Sequence, residues 1–147
     1  MVVINHIDDG QVDLEATYAE VQEAFGSECL AVNLPAADGT SVIDCFFKAK
    51  GDPAFSSAGA AHTEIVDQTV EVDETLMATY LDQGEVASDQ LHDAFEQAMR
   101  EGHLIPVCCV SATPGVGVQE LLNFISRLFP TPSEGNPQPF LTGCGQV

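Results

Sequence analysis

At 147 residues and 15.6 kDa, with 23 Asp plus Glu against 4 Lys plus Arg, the chain carries a formal net charge of −19. Nucleic-acid affinity needs clustered Lys and Arg, so this balance excludes DNA or RNA as a direct ligand and disfavours anionic membranes. An apolar fraction of 45% is normal for one folded domain with a core, so the charge reads as an acidic surface suited to a basic partner. No apolar run approaches the roughly 18 to 20 residues of a membrane helix, and the start MVVINHIDDG lacks the features of a secretory signal, so the chain reads as cytoplasmic. Five cysteines, Cys29, Cys45, Cys108, Cys109 and Cys144, show no Cys-x-x-Cys spacing and read as reduced structural thiols.

The chain opens with a short apolar β-type run, Val2 to Ile4, and the turn signal Asp8-Asp9-Gly10. A helix follows, with Leu14, Tyr18, Val21 and Phe25 on one face, Asp13 as N-cap and Gly26 just past its end. Two alternating segments, Cys29 to Pro35 and Ser41 to Phe47, flank the turn Ala36 to Thr40 and predict an antiparallel hairpin. Gly51 to Ala61 is small, polar and without period, which predicts a mobile loop. Three short helices come next. The first, near Ala60 to Glu71, is expected to bury Ile65, Val66, Thr69 and Val70, and the second, Asp73 to Asp82, is expected to bury Leu76, Met77, Tyr80 and Leu81.

The third helix is expected from a Ser88 N-cap to Gly102, with Leu91, Phe95, Ala98 and Met99 inward. Asp89, Asp93 and Glu96 then form an opposite acidic stripe that ends at Arg100. Glu64 to Glu101 contains eleven acidic residues and one basic residue; a solvated face is the plain explanation, a surface for a basic protein the sharper one. A second strand-turn-helix unit closes the domain. Its apolar run Leu104 to Val110 predicts a central parallel strand, and its helix is expected to bury Val118, Leu121, Leu122, Ile125 and Phe129 before Pro130 stops it. The two end units predict an α/β sheet, residues 29–102 an inserted α+β subdomain, and residues 131–147 a Pro/Gly-rich tail.

Two polar turns each follow a predicted parallel strand, Asn5-His6-Ile7-Asp8 and Ser111-Ala112. In open α/β sheets, residues outside the carboxyl ends of the strands project into a shared crevice. Guanine presents two adjacent donors beside an acceptor. The Asp8 carboxylate can accept both donors, the Ala112 N–H can donate to O6, the Asn5 amide can tie the loops together, and the His6 ring can lie on the base. The histidines show no metal spacing, no serine sits in a nucleophile elbow, and no carboxylate pair stands out as acid and base.

These turns carry a resemblance. Asn5-His6-Ile7-Asp8 resembles the Asn-Lys-x-Asp guanine motif of translational GTPases, and Ser111-Ala112 resembles the Ser-Ala motif that completes that pocket. From residue 1 to about residue 134 the chain is similar to the elongation factor G family, over the C-terminal part of its G domain. Stretches such as LAVNLP, GTSVIDCFF and GVGVQELLNFISRLFPTPSE carry the likeness in order and spacing. The resemblance implies a partial P-loop-GTPase-like parallel sheet, formed by residues 1–28 and 103–130, around the inserted subdomain. It also implies guanine recognition by Asn5, His6, Asp8, Ser111 and Ala112, and contact of the acidic stripe with the basic C-terminal domain of the ribosomal stalk protein.

The departures point the other way. The Gly-x-x-x-x-Gly-Lys-Ser/Thr phosphate loop, the switch threonine and the Asp-x-x-Gly motif are not in this sequence, and Gly115-Val116-Gly117 lacks the lysine and follows the wrong strand. His6 stands where the family has lysine. The resemblance therefore predicts no catalytic residue, no bound metal and no cofactor in this chain alone, where the intact family uses GTP or GDP with magnesium, and it predicts no hydrolysis of GTP and weak or absent guanine-nucleotide binding. The alternative reading is a stand-alone acidic protein-binding module with no nucleotide role. An exposed sheet edge near Met1 predicts a homodimer or association with a complementary half.

Overall fold

The computed structural model describes residues 1–47, 50–84, 86, 88–129, 141–142 and 145–146, and the side chains of all of these except 88, 89, 141, 142, 145 and 146. The elements run β1 (Val2–Ile4), α1 (Leu14–Phe25), β2 (Cys29–Ala31), β3 (Asn33–Pro35), β4 (Val42–Asp44), α2 (Ala58–Val70) and α3 (Glu74–Gln83). They continue with α4 (Ser88–Glu101), β5 (Ile105–Cys109), α5 (Val118–Leu128), β6 (Leu141–Thr142) and β7 (Gly145–Gln146). The fold is α/β: among the described residues it has a three-stranded parallel sheet in the order β1-β5-β2, two antiparallel hairpins, β3-β4 and β6-β7, and five helices. The tail expected from residue 131 lies outside the described residues apart from the small β6–β7 hairpin.

The longest apolar run in the sequence becomes the middle of the sheet. β5 pairs in parallel with β1, Ile4 opposite Cys109, and with β2, Cys29 opposite Ile105. Its Val107, Cys108 and Cys109 are buried, as a strand covered on both faces requires. The buried thiols Cys45, Cys108 and Cys109 are pushed up to about 12 by desolvation, and the four described cysteines are free.

The predicted hairpin divides in two. Asn33–Pro35 pairs antiparallel with Val42–Asp44, but Cys29–Ala31 joins the parallel sheet instead. A strand whose three residues are all buried gains more inside the sheet than in an exposed ribbon. The seam between the two parts is held by Asn33, whose amide is buried. Its Oδ1 accepts from the Cys109 N–H at 2.6 Å and its Nδ2 donates to the Cys109 carbonyl at 3.2 Å, so one side chain replaces a strand partner. The expected mobile loop is pinned. Ala54 N–H donates to the Pro35 carbonyl at 2.8 Å, Pro53 bridges Ala36, Phe55 is buried, and Ser57 caps α2 at Ala58, two residues before the expected start.

Helix ends follow their caps, while several predicted buried faces rotate. Asp13 caps α1 through Ala16 N–H, and Asp73 caps α3 through Thr75 and Leu76. Phe25 is 61% exposed because a twelve-residue helix, about 18 Å long, overhangs a three-residue strand of about 10 Å. Leu81 is exposed because it sits about 140° around α3 from Leu76, the residue that packs. On α5 the buried residues are Phe124 and Leu128, while Leu122, Ile125 and Phe129 are exposed. An aromatic cluster of Phe46, Phe95 and Phe124, with centroids 4.6 to 6.5 Å apart, turns the helix toward the hairpin and α4. α4 buries Phe95 and Ala98 as its period predicts, with Ala94 beside them, while Leu91 and Met99 are half-buried. Phe129 adopts extended backbone, as the residue before a proline favours; Pro130 lies outside the described residues.

Candidate functional site

The site is built at the carboxyl ends of β1 and β5, which the register places side by side. Val110 N–H donates to the Ile4 carbonyl at 2.8 Å and Ile7 N–H to the Val110 carbonyl at 3.3 Å, so both chains leave the sheet together. The first loop turns at His6, a non-glycine residue at φ 64°, and closes with Asp9 N–H donating to the His6 carbonyl at 3.0 Å. A left-handed histidine costs on the order of 1 kcal/mol, which the surrounding hydrogen bonds offset. The second loop closes with Ser111 N–H on the Val116 carbonyl at 2.8 Å. Gly117 then starts α5 at φ 71°, where a Cβ would lie 2.6 Å from the Cys109 carbonyl oxygen, so only glycine fits this return.

Two side-chain bonds join the loops. Ser111 Oγ donates to Asp8 Oδ1 in a short hydrogen bond, and Ala112 N–H donates to Asn5 Oδ1 at 3.1 Å. Ser111 is fully buried, whereas Asn5, His6, Asp8 and Ala112 are exposed. The Ser111 hydroxyl beside Asp8 holds its carboxyl below the usual carboxylate range. The hairpin tip approaches the same place, since a Cβ on Gly39 would lie 3.4 Å from the Ile7 carbonyl.

Four of the five residues expected from the sequence are thus joined in pairs at the strand ends, and His6 sits exposed on the first loop between Asn5 and Asp8. The Ala112 N–H, expected to face a base, donates to Asn5. Asp8 is exposed, so its carboxylate can still accept from a ligand. The acidic stripe is separate. Asp93 is exposed and Glu96 half-buried on α4, with no ion-pair partner among the described residues. The side chains of Asp89 and of the expected Ser88 cap lie outside the described residues. No group of three or more His, Cys, Asp or Glu among the described residues is placed to hold a metal ion. Sequence reasoning overlooked Asn33 and Gly117, which hold the site from beneath; a lone Asn in the apolar run LAVNLP was the available signal for the first.

Fold and site together define an α/β protein whose polar crevice lies where parallel strands end, the usual ligand position in such sheets. No protein-family model matches the chain. It is 27% identical to the elongation factor G-like protein of Thermotoga maritima over 91% of this chain and 21% of that protein. It is 28% identical to the elongation factor G-like protein of Mycobacterium tuberculosis over 94% of this chain and 21% of that protein. Elongation factor G of Fervidobacterium nodosum is 27% identical over 91% of this chain and 22% of its own length. A crystal structure of a Thermus thermophilus protein superposes with a TM-score of 0.75 at 29% identity, covering 95% of this chain and 24% of that one. The chain is a homologue of elongation factor G and elongation factor G-like proteins, and it spans about a fifth of the length of the curated relatives it matches.

Proposed function

We propose that this region supplies the guanine-recognition half-pocket and the inserted acidic subdomain of an elongation-factor-G-like translation factor acting in the cytoplasm. Residues 1–28 and 103–130 form the GTPase-like part and residues 29–102 the insertion. The pairing of Cys29–Ala31 with β5 argues for a seam nearer Val32. The observation that carries the reading is the joining of the two motif loops, Asp8 to Ser111 and Asn5 to Ala112, across more than a hundred residues of chain. In this reading Asp8 accepts from the base, while Asn5 and Ser111 hold the loops. His6 lies against the base, and Ala112 turns its N–H from Asn5 to O6.

GTP or GDP with magnesium belongs to the intact factor. The described site holds the base and has no lysine-bearing phosphate loop, so binding by this chain alone is weak and hydrolysis absent. Calorimetry with GDP and phosphate release with GTP and magnesium test this: tight binding or turnover above blank contradicts it. Asp8→Asn should weaken any guanine binding and shift preference toward xanthine nucleotides.

The partner in this reading is the basic C-terminal domain of the ribosomal stalk protein, met by Asp89, Asp93 and Glu96, since complementary charge raises association rate and specificity. Titration of labelled protein with that domain at low and high salt should shift resonances on α4; shifts elsewhere alone would remove this face. The second reading, an acidic protein-binding module with no nucleotide role, is favoured by the Ala112 N–H already committed to Asn5 and by His6 in place of the family lysine. It predicts no response to Asp8→Asn. The exposed Val3 on β1, an edge strand among the described residues, supports self-association; sedimentation as a clean monomer would count against the dimer.

A further inference from the structure

A cleft of about 500 Å³ runs between β4 and α5, lined by none of the guanine motif residues. Three consecutive β4 residues, Val42, Ile43 and Asp44, form one wall, and Glu120, Asn123 and Arg127 of α5 form the other. The α5 residues fall at i, i+3 and i+7, so one helical face fronts the cleft.

Among the described residues, β4 has a strand partner on one edge only. Cys45 N–H donates to the Val32 carbonyl and Ala36 N–H to the Ser41 carbonyl, which makes Leu34 opposite Ile43 the hydrogen-bonded pair between them. Alternation then turns the main-chain groups of Val42 and Asp44 away from β3. Val42 stands opposite Pro35, which has no N–H to give. Among the described residues, nothing bonds the N–H or C=O of Val42 or Asp44.

The charges are ordered along the cleft. Lys50 and Arg127, two of only four cations in the chain, line it, with Arg127 5.7 Å from the centre of the Phe47 ring. Asp44 is committed to the turn, since one of its oxygens accepts from Phe46 and Phe47 N–H at 2.8 and 2.7 Å. On the α5 wall Glu120 and Arg127 therefore lie about 10 Å apart along the helix, an acid at one end and a cation at the other, with Lys50 also lining the cleft.

The geometry points to a peptide-binding groove. An extended segment of a partner protein adds antiparallel to β4, its main chain pairing with Val42 and Asp44, with an acidic side chain at Arg127 and Lys50, an apolar one over Phe124 and a basic one at Glu120. Alternate residues of a strand share a face, so the three side chains occur at i, i+2 and i+4.

The probe is acetyl-Glu-Thr-Val-Thr-Lys-amide, compared with acetyl-Lys-Thr-Val-Thr-Glu-amide. Amide resonances of Val42, Asp44, Asn123 and Arg127 should move with the first peptide, and the charge-reversed peptide should bind about tenfold more weakly. The doubly exchanged variant Glu120→Arg with Arg127→Glu, its fold checked by circular dichroism, should reverse that preference. No shifts up to about 5 mM peptide, shifts confined to α4, equal binding of both peptides or unchanged preference in the exchanged variant would each overturn the groove. The same shifts produced by sodium acetate alone would reduce it to a carboxylate contact without strand addition.

Discussion

Asp8 and Asp93 are both exposed acids on the same molecule, and their surroundings differ in kind. Asp8 sits on a loop whose shape depends on Ser111, 103 residues away, and its carboxyl is held low by that hydroxyl. Asp93 sits on a helix stripe whose position follows from local period alone and touches no ion-pair partner among the described residues. The motif crevice is therefore made by tertiary structure, whereas the acidic face is made by one helix. Changes beneath the first should disturb the whole fold, and changes on the second should leave it intact.

The largest expected effect is at Gly117. Gly117→Val places a Cβ against the Cys109 carbonyl at a positive φ, and urea unfolding should show a loss of at least about 3 kcal/mol. Asn33→Ala comes next, because it strands a buried N–H and a buried carbonyl of Cys109. A loss of about 2 to 3 kcal/mol is expected, and a loss below about 1 kcal/mol would show that the seam does not rest on this amide.

Alkaline pH should also act on the core beneath the crevice. Burial pushes Cys45, Cys108, Cys109 and Tyr18 up to about 12, from ordinary values of 9.0 for the thiols and 10.0 for the phenol. Folded values above unfolded ones mean a stability contribution that is full below the ordinary value and lost as pH rises toward the folded one. Unfolding free energy should fall steadily above about pH 9, and the three thiols should resist alkylation of the native protein near pH 8. Equal labelling of native and unfolded protein would contradict this.

Asp8 runs in the opposite sense. Its lowered carboxyl contributes above the ordinary value of 3.8 and loses that contribution in acid. Ser111→Ala should move the Asp8 titration upward in an NMR pH series with little effect on the α4 amides. The smallest effect belongs to Asp93→Asn with Glu96→Gln, where stability should stay within about 0.5 kcal/mol or rise slightly as like charges are removed. If this pair destabilised the protein as much as Asn33→Ala, the contrast between the two regions would fail.

The same contrast explains what could be read from sequence. β1, the Asp13 cap of α1, the buried face of α2, the burial of Phe95 and Ala98 on α4, and the central position of β5 follow from local signals that the structure keeps. The two motif loops also meet as their order implied, through Asp8 with Ser111 and Asn5 with Ala112. Pairing partners were less legible. Cys29–Ala31 alternates plausibly as a hairpin strand, yet only the presence of β5 decides that it joins the parallel sheet. The buried side of α5 depends on Phe46 and Phe95 from other elements, so its own period offered two apolar stripes and no means of choosing. The Gly51–Ala61 stretch looked unpartnered because its partners, Pro35 and Ala36, act through main chain.

The bonds that close the crevice span 103 and 107 residues, and the Asn33 seam spans 76. Closing such long loops before any contact rewards it slows folding, so the crevice belongs to the last steps of assembly. While the chain is being synthesised, Asp8 emerges long before Ser111. Throughout that interval Asp8 has no fixed position, and its loop takes its final shape only once β5 and Ser111 are in place.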